Sequence, residues 1–249
     1  MRILLVSDLH YVLRQFDWVV EQLAQHDMVV LAGDQLDIAS AVPLDAQIAV
    51  LQALIARVDH PERLVVSSGN HDLTGPDDHG EQAALWFDPL RAAGVTVDGD
   101  SRIIGDALVT ACPWWDGAVG KARLAEQFAR DSDRSTRPWV WVYHWPPDQS
   151  PTCWTGKRHY GDPDLRAWIT EYQPDLVLTG HVHNPPFRPD GAWADRIGNT
   201  WIFNAGNQLG PEPAHVTIDL DANEAVWRSL LGQEVQPLDG EPITERPSF

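Results

Sequence analysis

Short apolar runs in this chain end at clusters of aspartate, asparagine and histidine, and helical segments separate the first three runs. Residues 3–6 end at Ser-Asp, residues 28–32 at Gly-Asp, and residues 64–66 lead into Ser-Ser-Gly-Asn-His-Asp. Between them, residues 14–25 and 46–58 carry apolar side chains at helical spacing. Alternating strands and helices predict βαβ units and a parallel sheet. Functional groups in such sheets gather at the carboxyl ends of the strands, which is where the polar clusters lie.

The second half of the chain is richer in predicted strands. Its apolar runs predict strands at 107–112, 138–143, 176–179, 200–204, 214–220 and 225–229. Helices are predicted at 82–93, 121–130 and 164–172. The simplest organisation is a single domain of residues 1–231. Residues 232–249 are proline-rich and acidic, and we expect them to form a surface tail.

Hydropathy and cysteine content favour a soluble cytoplasmic protein without a membrane span. None of the apolar runs approaches the roughly 20 residues that a membrane helix needs. The apolar stretch at the N-terminus is too short for the core of a signal peptide. The two cysteines, Cys112 and Cys153, cannot form a disulfide framework.

The charge balance disfavours nucleic acid as a partner. There are 36 acidic residues against 18 Lys and Arg, which gives a formal net charge of −18. A protein that follows a phosphate backbone usually carries a basic stripe. The pair Lys157-Arg158 is too small to form one, and a solvated loop is the favoured interpretation of it.

Histidines at the ends of predicted strands indicate a metal site. Five of the ten lie there, namely His10, His71, His144, His181 and His183. Imidazoles and carboxylates together suit Mn, Fe, Co, Ni or Zn. The set is too large for one ion, and it suits two ions about 3.5–4 Å apart that share a carboxylate. For any one of these histidines alone, a hydrogen-bonded structural role would be favoured.

The order of these motifs resembles the calcineurin-like metallophosphoesterase superfamily. The motifs are Asp8-Leu9-His10, Gly33-Asp34-Gln35-Leu36-Asp37, Gly69-Asn70-His71-Asp72, His144 and Gly180-His181-Val182-His183. The resemblance spans residues 8 to 183. It implies a four-layer α/β/β/α sandwich with two mixed sheets and a dimetal site at one edge.

The resemblance also implies a role for each residue of the motifs. The ligands of the first ion would be Asp8, His10 and His183, and those of the second would be Asn70, His144 and His181. Asp34 would bridge the two ions. His71 would act as a general acid, with Asp72 orienting it. Asn70 and His10 would also face the substrate.

The expected activity is hydrolysis of a phosphate ester. Two cations lower the pKa of a bridging water and neutralise charge in the transition state. A neighbouring imidazole then protonates the leaving group. Many members carry an arginine where this chain has Ile38, and its absence favours a small-molecule phosphodiesterase. The alternatives are a phosphomonoesterase or nucleotide pyrophosphohydrolase, with a nuclease or non-catalytic scaffold less favoured.

Tryptophan is abundant, with 12 residues in the chain. Trp115 and Trp145 follow predicted strands and are candidates for stacking on a flat substrate group, although core packing explains them equally well. Trp139 and Trp141 alternate along one strand, so we expect them in the core between the two sheets. A turn at Asn204-Ala205-Gly206 is interpreted as structural rather than catalytic.

Overall fold

The computed structural model describes residues 1–133 and 138–243. The strands are β1 (Arg2–Val6), β2 (Met28–Ala32), β3 (Leu64–Ser67), β4 (Gly75–Pro76), β5 (Gln82–Ala83), β6 (Thr96–Val97), β7 (Ser101–Ile104), β8 (Ala107–Ala111), β9 (Trp139–Val142), β10 (Leu176–Thr179), β11 (Ala194–Ile197), β12 (Thr200–Asn204), β13 (His215–Asp219), β14 (Glu224–Ser229) and β15 (Gly232–Pro237). The α-helices are α1 (Leu13–Gln22), α2 (Leu44–Ile55), α3 (Asp88–Ala92), α4 (Ala118–Asp131) and α5 (Pro163–Tyr172). Short 3-10 turns lie at Pro61–Arg63, Leu85–Phe87, Pro151–Cys153 and Pro185–Phe187.

Two mixed sheets carry the fold. The seven-stranded sheet has the order β15-β14-β13-β1-β2-β3-β6, in which β1, β2, β3 and β6 run parallel. The six-stranded sheet has the order β11-β12-β10-β9-β8-β7, in which β12, β10, β9 and β8 run parallel. The remaining neighbours pair antiparallel. The predicted parallel β-α-β front half is therefore present.

Three apolar clusters define four layers. One lies between the sheets and joins side chains such as Leu5 and Val30 to Val142 and Leu178. A second packs the outer face of the seven-stranded sheet against α1 and α2, and a third packs the outer face of the six-stranded sheet against α4 and α5. This arrangement is the predicted α/β/β/α sandwich, and the predicted fold class is confirmed.

Strand β9 shows how side-chain alternation divides the core. Val140 and Val142 face the other sheet, whereas Trp139 and Trp141 face α4 and α5, where Phe128 stacks on Trp141 with ring centroids 3.8 Å apart. The two tryptophans are buried as expected. The prediction that they lie between the two sheets was wrong. Val140 and Val142 occupy the face of β9 that is turned to the other sheet, and alternation along the strand turns the tryptophan rings to the helices.

The helix predicted at 82–93 is mostly replaced by other structure. The segment contains β5, a 3-10 turn and only the short helix α3. Pro89 lies in the first turn of α3, where its missing N–H is tolerated; farther inside a helix it would remove a hydrogen bond and clash. Trp86, Phe87 and Leu90 are buried together, and their spacing produced the helical pattern in the sequence.

The predicted surface tail contributes a strand. Residues Gly232–Pro237 form β15 and pair antiparallel with β14, so the prediction of a tail from residue 232 was wrong for this part. Its polar side chains are typical of an exposed edge strand, which explains why composition alone suggested a tail. Residues 244–249 of the predicted tail lie outside the described residues. Among the helices described, none is long and apolar enough to cross a membrane.

Candidate metal centre

The nine predicted metal-site and catalytic residues meet at one edge of the sandwich. The seven-stranded sheet supplies them from the segments after β1, β2 and β3, and the six-stranded sheet from the segments after β9 and β10. These strands run parallel within each sheet, so their carboxyl ends share an edge. The residues are Asp8, His10, Asp34, Asn70, His71, Asp72, His144, His181 and His183.

The backbone of these segments is held in an unusual conformation. Asp8, His10, Asp34 and His181 have φ values of 56°, 41°, 56° and 63°, in the left-handed region. Each such residue costs about 1–3 kcal/mol, and surrounding contacts must maintain it. Hydrogen bonds from the Asp8 N–H to the Gly33 carbonyl and from the His10 N–H to the Asp34 carbonyl, both 3.0 Å, join the first two segments.

Glycines allow the ligand side chains to lie against neighbouring backbone. An added Cβ at Gly69 would lie 2.1 Å from Asp34 Oδ1, and one at Gly180 would lie 2.6 Å from Asp8 Oδ2. At Gly33, which has a φ of 94°, the added atom would lie 2.0 Å from His144 Nδ1. The motifs Gly-Asp, Gly-Asn-His and Gly-His therefore reflect close packing against the site.

One potential ligand group consists of Asp8, His10 and His183. The Nε2 atoms of His10 and His183 are 3.2 Å apart, and His183 Nε2 is 3.3 Å from Asp8 Oδ1. Two nitrogens at about 2.0–2.1 Å from one tetrahedral ion are about 3.3 Å apart. The spacing of the three side chains therefore fits ligation of a single ion.

A second potential group consists of Asp34, His144 and His181. His144 Nε2 lies 3.3 Å from Asp34 Oδ2 and 3.9 Å from Asp8 Oδ1, so the two groups adjoin. His144 Nδ1 donates to the Ala32 carbonyl at 2.6 Å. Metal-binding histidines are typically oriented by such a bond from the other ring nitrogen.

Unpartnered polar atoms give an independent test of this fit. Within residues 1–133 and 138–243, the buried atoms Asn70 Oδ1, His144 Nε2 and His181 Nε2 have no hydrogen-bond partner. A buried polar atom without a partner usually costs about 1–3 kcal/mol. All three are atoms of the predicted second ligand set, and a cation would satisfy them together. The residues present therefore fit a metal.

The charges in the site also favour a cation. Burial lowers the pKa of His144, but the negative charges of the nearby Asp34 and Asp8 carboxylates outweigh burial and raise it to about 9. Burial by itself raises the pKa of Asp34, but the nearby positive charge of His144 outweighs burial and lowers the pKa overall. The buried carboxylates therefore stabilise a positive charge placed between them. A divalent ion carries two positive charges, whereas a proton on His144 carries one.

The pKa values of His181 and His183 are shifted in opposite directions. Burial and the charge of His144 lower the pKa of His181 to about 4, so its ring is neutral and keeps a lone pair near neutral pH. Burial also opposes charge on His183, but the hydrogen bond and charge of Asp8 outweigh it and raise its pKa.

His71 lies beside both groups with part of its ring accessible. Its ring centroid is 4.7 Å from that of His10, and its Nε2 lies 4.0 Å from Asp34 Oδ2. The Ile38 N–H donates to His71 Nδ1 at 3.4 Å, and the His71 N–H donates to Asp34 Oδ1 at 2.9 Å. With Nδ1 turned to the Ile38 N–H, Nε2 is the ring nitrogen that faces Asp34.

Asp72 does not orient the His71 ring as the resemblance implied. Its buried carboxylate accepts hydrogen bonds from the N–H groups of Leu36 at 3.0 Å, Gln35 at 3.0 Å and Gly69 at 2.8 Å. Burial and the charge of Asp34 raise the pKa of Asp72, and the bonds from Gly69 and Leu36 oppose that rise. Asp72 therefore ties the segment after β2 to the segment after β3.

The two aromatic residues predicted beside the site, Trp115 and Trp145, have different surroundings. Trp115 donates from Nε1 to the Tyr143 hydroxyl at 2.8 Å, and the Lys121 ammonium lies 5.5 Å from the centroid of its ring. Trp145 does adjoin the site, with its ring centroid 5.6 Å from that of His181. Trp114, which belongs to the same tryptophan-rich segment as the predicted Trp115, also adjoins the site, with its ring centroid 5.2 Å from that of His181.

The side chain of Asn204, the last residue of β12, supports the backbone segment that carries His181. Asn204 Nδ2 donates to the carbonyls of Thr152, Gly180 and Val182 at 2.9, 3.2 and 3.0 Å, and Asn204 Oδ1 accepts from the Gly206 N–H. The buried amide thus fixes the backbone on both sides of His181. This contact pattern matches the structural interpretation of the turn.

Two stacked mixed sheets with His/Asp groups at their strand ends define a metal-binding α/β protein. The profile of the family described as calcineurin-like phosphoesterase matches residues 1–185. The chain belongs to this family, which indicates a hydrolase that acts on phosphate esters. No curated protein matches the chain.

Solved structures show the same fold at low sequence identity. TT1561 of Thermus thermophilus is 16% identical with a TM-score of 0.54, and the match covers 95% of this chain and 98% of that one. Purple acid phosphatase PPD1 from yellow lupin (Lupinus luteus) seeds is 14% identical with a TM-score of 0.53, and the match covers 98% of this chain and 52% of that one. At these identities the likeness shows the fold alone.

Proposed function

We propose that this chain is a dimetal phosphodiesterase that acts on a small phosphodiester. The observation that carries the proposal is the pair of adjoining His/Asp groups, with Asp34 beside His144 at 3.3 Å and His183 beside Asp8 at 3.3 Å. Two adjoining ligand groups suit two ions that share one substrate. The metals proposed are Mn, Fe, Zn, Co or Ni, since imidazole and carboxylate ligands suit all of them.

In this proposal each side chain has a distinct task. Asp8, His10 and His183 would hold one ion, and Asn70, His144 and His181 would hold the other, with Asp34 available to both. Bound divalent ions would supply a water of lowered pKa and neutralise charge on the phosphate. The Asn70 amide offers a neutral oxygen, which leaves its ion more electrophilic than another carboxylate would. His71 would act as the general acid in its imidazolium form, giving the Nε2 proton to the departing oxygen and becoming a neutral ring.

Ile38 favours the diester over the monoester. Its side chain is 59% exposed at the rim, and its N–H donates to His71 Nδ1. A phosphodiester carries one negative charge and a monoester carries nearly two near neutral pH. A rim with an apolar side chain at this position supplies no cation for the extra charge. A phosphomonoesterase and a nucleotide pyrophosphohydrolase are therefore the second candidates.

Turnover after metal reconstitution tests the hydrolytic centre. The purified protein would be treated with a chelator, reloaded with Mn, Zn, Ni, Co or Mg, and assayed with bis-p-nitrophenyl phosphate and p-nitrophenyl phosphate. We expect metal-restored turnover that favours the diester and is lost in Asp34→Asn. Asp106→Asn is the matched control, because Asp106 is exposed and precedes β8 at the opposite end of its sheet. Absence of turnover with every metal would contradict the proposal.

Ile38→Arg tests the origin of the diester preference. An arginine at this exposed position would reach the phosphate, and charge-assisted hydrogen bonds contribute about 1.5–3 kcal/mol before solvent screening. We expect the ratio of monoester to diester kcat/KM to rise about tenfold. Ile38→Gln is the control without charge. An unchanged ratio would show that the preference has another cause.

A further inference from the structure

Three aromatic rings surround one side of His181, and we call Trp114, Trp145 and Tyr160 the aromatic wall. Their ring centroids lie 5.2, 5.6 and 5.4 Å from that of His181. Trp114 and Trp145 are stacked with centroids 5.5 Å apart at 21°, and Trp145 lies 5.4 Å from Tyr160. The rings therefore form one continuous surface next to a proposed ligand of the second ion.

The aromatic wall is accessible, unlike the aromatic core behind it. Trp114 and Trp145 are half-buried and Tyr160 is 42% exposed, whereas Trp139 and Trp141 are 0% exposed. Rings that served only to shield or pack His181 would be covered in the same way as the core pair. Exposed aromatic faces beside a reaction centre offer stacking area instead.

A cavity opens beside the two tryptophans of the wall. It has a volume of about 260 Å³, and its lining includes Trp114, Trp145, His144 and the predicted Trp115. Pockets for drug-sized ligands usually have about 300–1,000 Å³. The cavity is thus of a size for a single ring system attached to a phosphate at the neighbouring centre.

The aromatic wall is also fixed in place. The indole Nε1 of Trp145 donates to the Tyr160 carbonyl at 3.2 Å. The backbone N–H of Trp114 donates to Ser68 Oγ at 2.9 Å and holds the chain that carries the Trp114 ring. Because the rings are already positioned, little side-chain freedom is lost when a flat ligand stacks on them. Arg158, 5.6 Å from the centroid of the Tyr160 ring, marks the solvent end of the surface.

We propose that the aromatic wall binds a planar aromatic group carried by the phosphoester substrate. The inference rests on the proposed function, because it places the phosphorus of that substrate at the metal centre. A nucleobase and a simple aryl group share this chemistry, since each presents a flat π-face that stacks on Trp and Tyr.

Binding of phosphonates tests the proposal without requiring turnover. Titration calorimetry on the metal-loaded protein would compare phenylphosphonate with cyclohexylphosphonate, which is apolar and similar in size but not planar. We expect phenylphosphonate to bind about tenfold more tightly, in line with one stacked ring. Trp114→Leu and Trp145→Leu should reduce that ratio several-fold and leave the affinity for methylphosphonate unchanged. Trp18→Leu is the matched control, since Trp18 is a half-buried residue of α1 that contacts His215.

A second comparison identifies the source of the aromatic group. Adenosine monophosphate and ribose 5-phosphate differ only in the base, so a preference for the former that the wall variants lose would indicate a nucleotide. A preference limited to phenylphosphonate would indicate a simple aryl ester. Equal binding of the members of both pairs, or no measurable binding of any of them, would overturn the proposal. Loss of turnover with every substrate would instead count against the proposed function.

Discussion

Replacement of Gly33 by alanine tests whether close packing fixes the second ligand group. Gly33 follows β2 with a φ of 94°, and an added Cβ would lie 2.0 Å from His144 Nδ1 and 2.3 Å from His144 Cγ. Real Cβ atoms stay at least 3.0 Å from such neighbours. The imidazole of His144 would therefore have to move by about 1 Å, and it would lose its bond to the Ala32 carbonyl.

The expected effect has two separable parts. Alanine in the left-handed region costs about 1–2 kcal/mol in the free energy of unfolding. Loss of the Nδ1 hydrogen bond adds about 0.5–1.5 kcal/mol. For function, loss of the bond that orients a metal-binding histidine typically costs about 10–100-fold in metal affinity or activity. A displacement of about 1 Å in a reacting group costs about 100-fold in rate. We therefore expect kcat/KM to fall about 100-fold.

Gly99→Ala separates the two parts. Gly99 has a φ of 79°, and an added Cβ there would meet nothing within 4 Å. Urea unfolding with a chelator present would measure stability without the contribution of bound metal. Both variants should lose about 1–2 kcal/mol of backbone stability, and only Gly33→Ala should lose metal affinity and turnover. Gly33→Ala activity within threefold of Gly99→Ala would refute the argument that Gly33 fixes His144.

Three further substitutions probe the contacts that support the site and the pH dependence of the free energy of unfolding. Asp72→Asn places an amide N–H₂ against backbone donors such as the Gly69 N–H, so urea unfolding should show a loss of about 1–3 kcal/mol; a smaller loss would contradict this contact. Asn204→Ala leaves buried carbonyls without a donor, and the same measurement should show a loss of about 2–4 kcal/mol. Burial lowers the pKa of His215, so its contribution to stability is complete above about pH 6.5 and declines as the pH falls toward the folded-state pKa. Between about pH 7.5 and pH 5.5 the free energy of unfolding should therefore fall less in His215→Gln than in wild type, and parallel curves would argue against this.

The positions of the candidate ligands were predictable because strand ends are visible in the sequence. The runs before Asp8, Asp34 and Asn70 are short, fully apolar and closed by polar residues, and each became a buried parallel strand. Parallel strands bring their carboxyl ends to one edge, so residues distant along the chain meet there. Resemblance supplied the remaining step, since the apolar pattern alone predicts a sheet but not two stacked sheets.

Contacts that depend on exact packing were not predictable. Asp72 follows His71 directly, yet its carboxylate points to the amides of Leu36 and Gly69 because the segment after β3 turns back on itself. Trp114 and Trp115 are adjacent, and only the path of the chain decides that Trp114 meets His181. Edge strand β15 was missed because an exposed edge has polar side chains on much of its surface.

The division of ligands between the sheets ties metal binding to the packing of the sandwich. In one group Asp8 and His10 follow β1 of the seven-stranded sheet, and His183 follows β10 of the six-stranded sheet. In the other, Asp34 follows β2, whereas His144 and His181 follow strands of the opposite sheet. Each group is therefore complete only when the two sheets are packed against each other. A ligand that binds only the folded arrangement stabilises it, by about 2.7 kcal/mol at 100 times its Kd. Every bound ion would be held by residues of both sheets. Removal of the metal should therefore lower the stability of the sheet edge that carries the ligands before it lowers that of the outer helices.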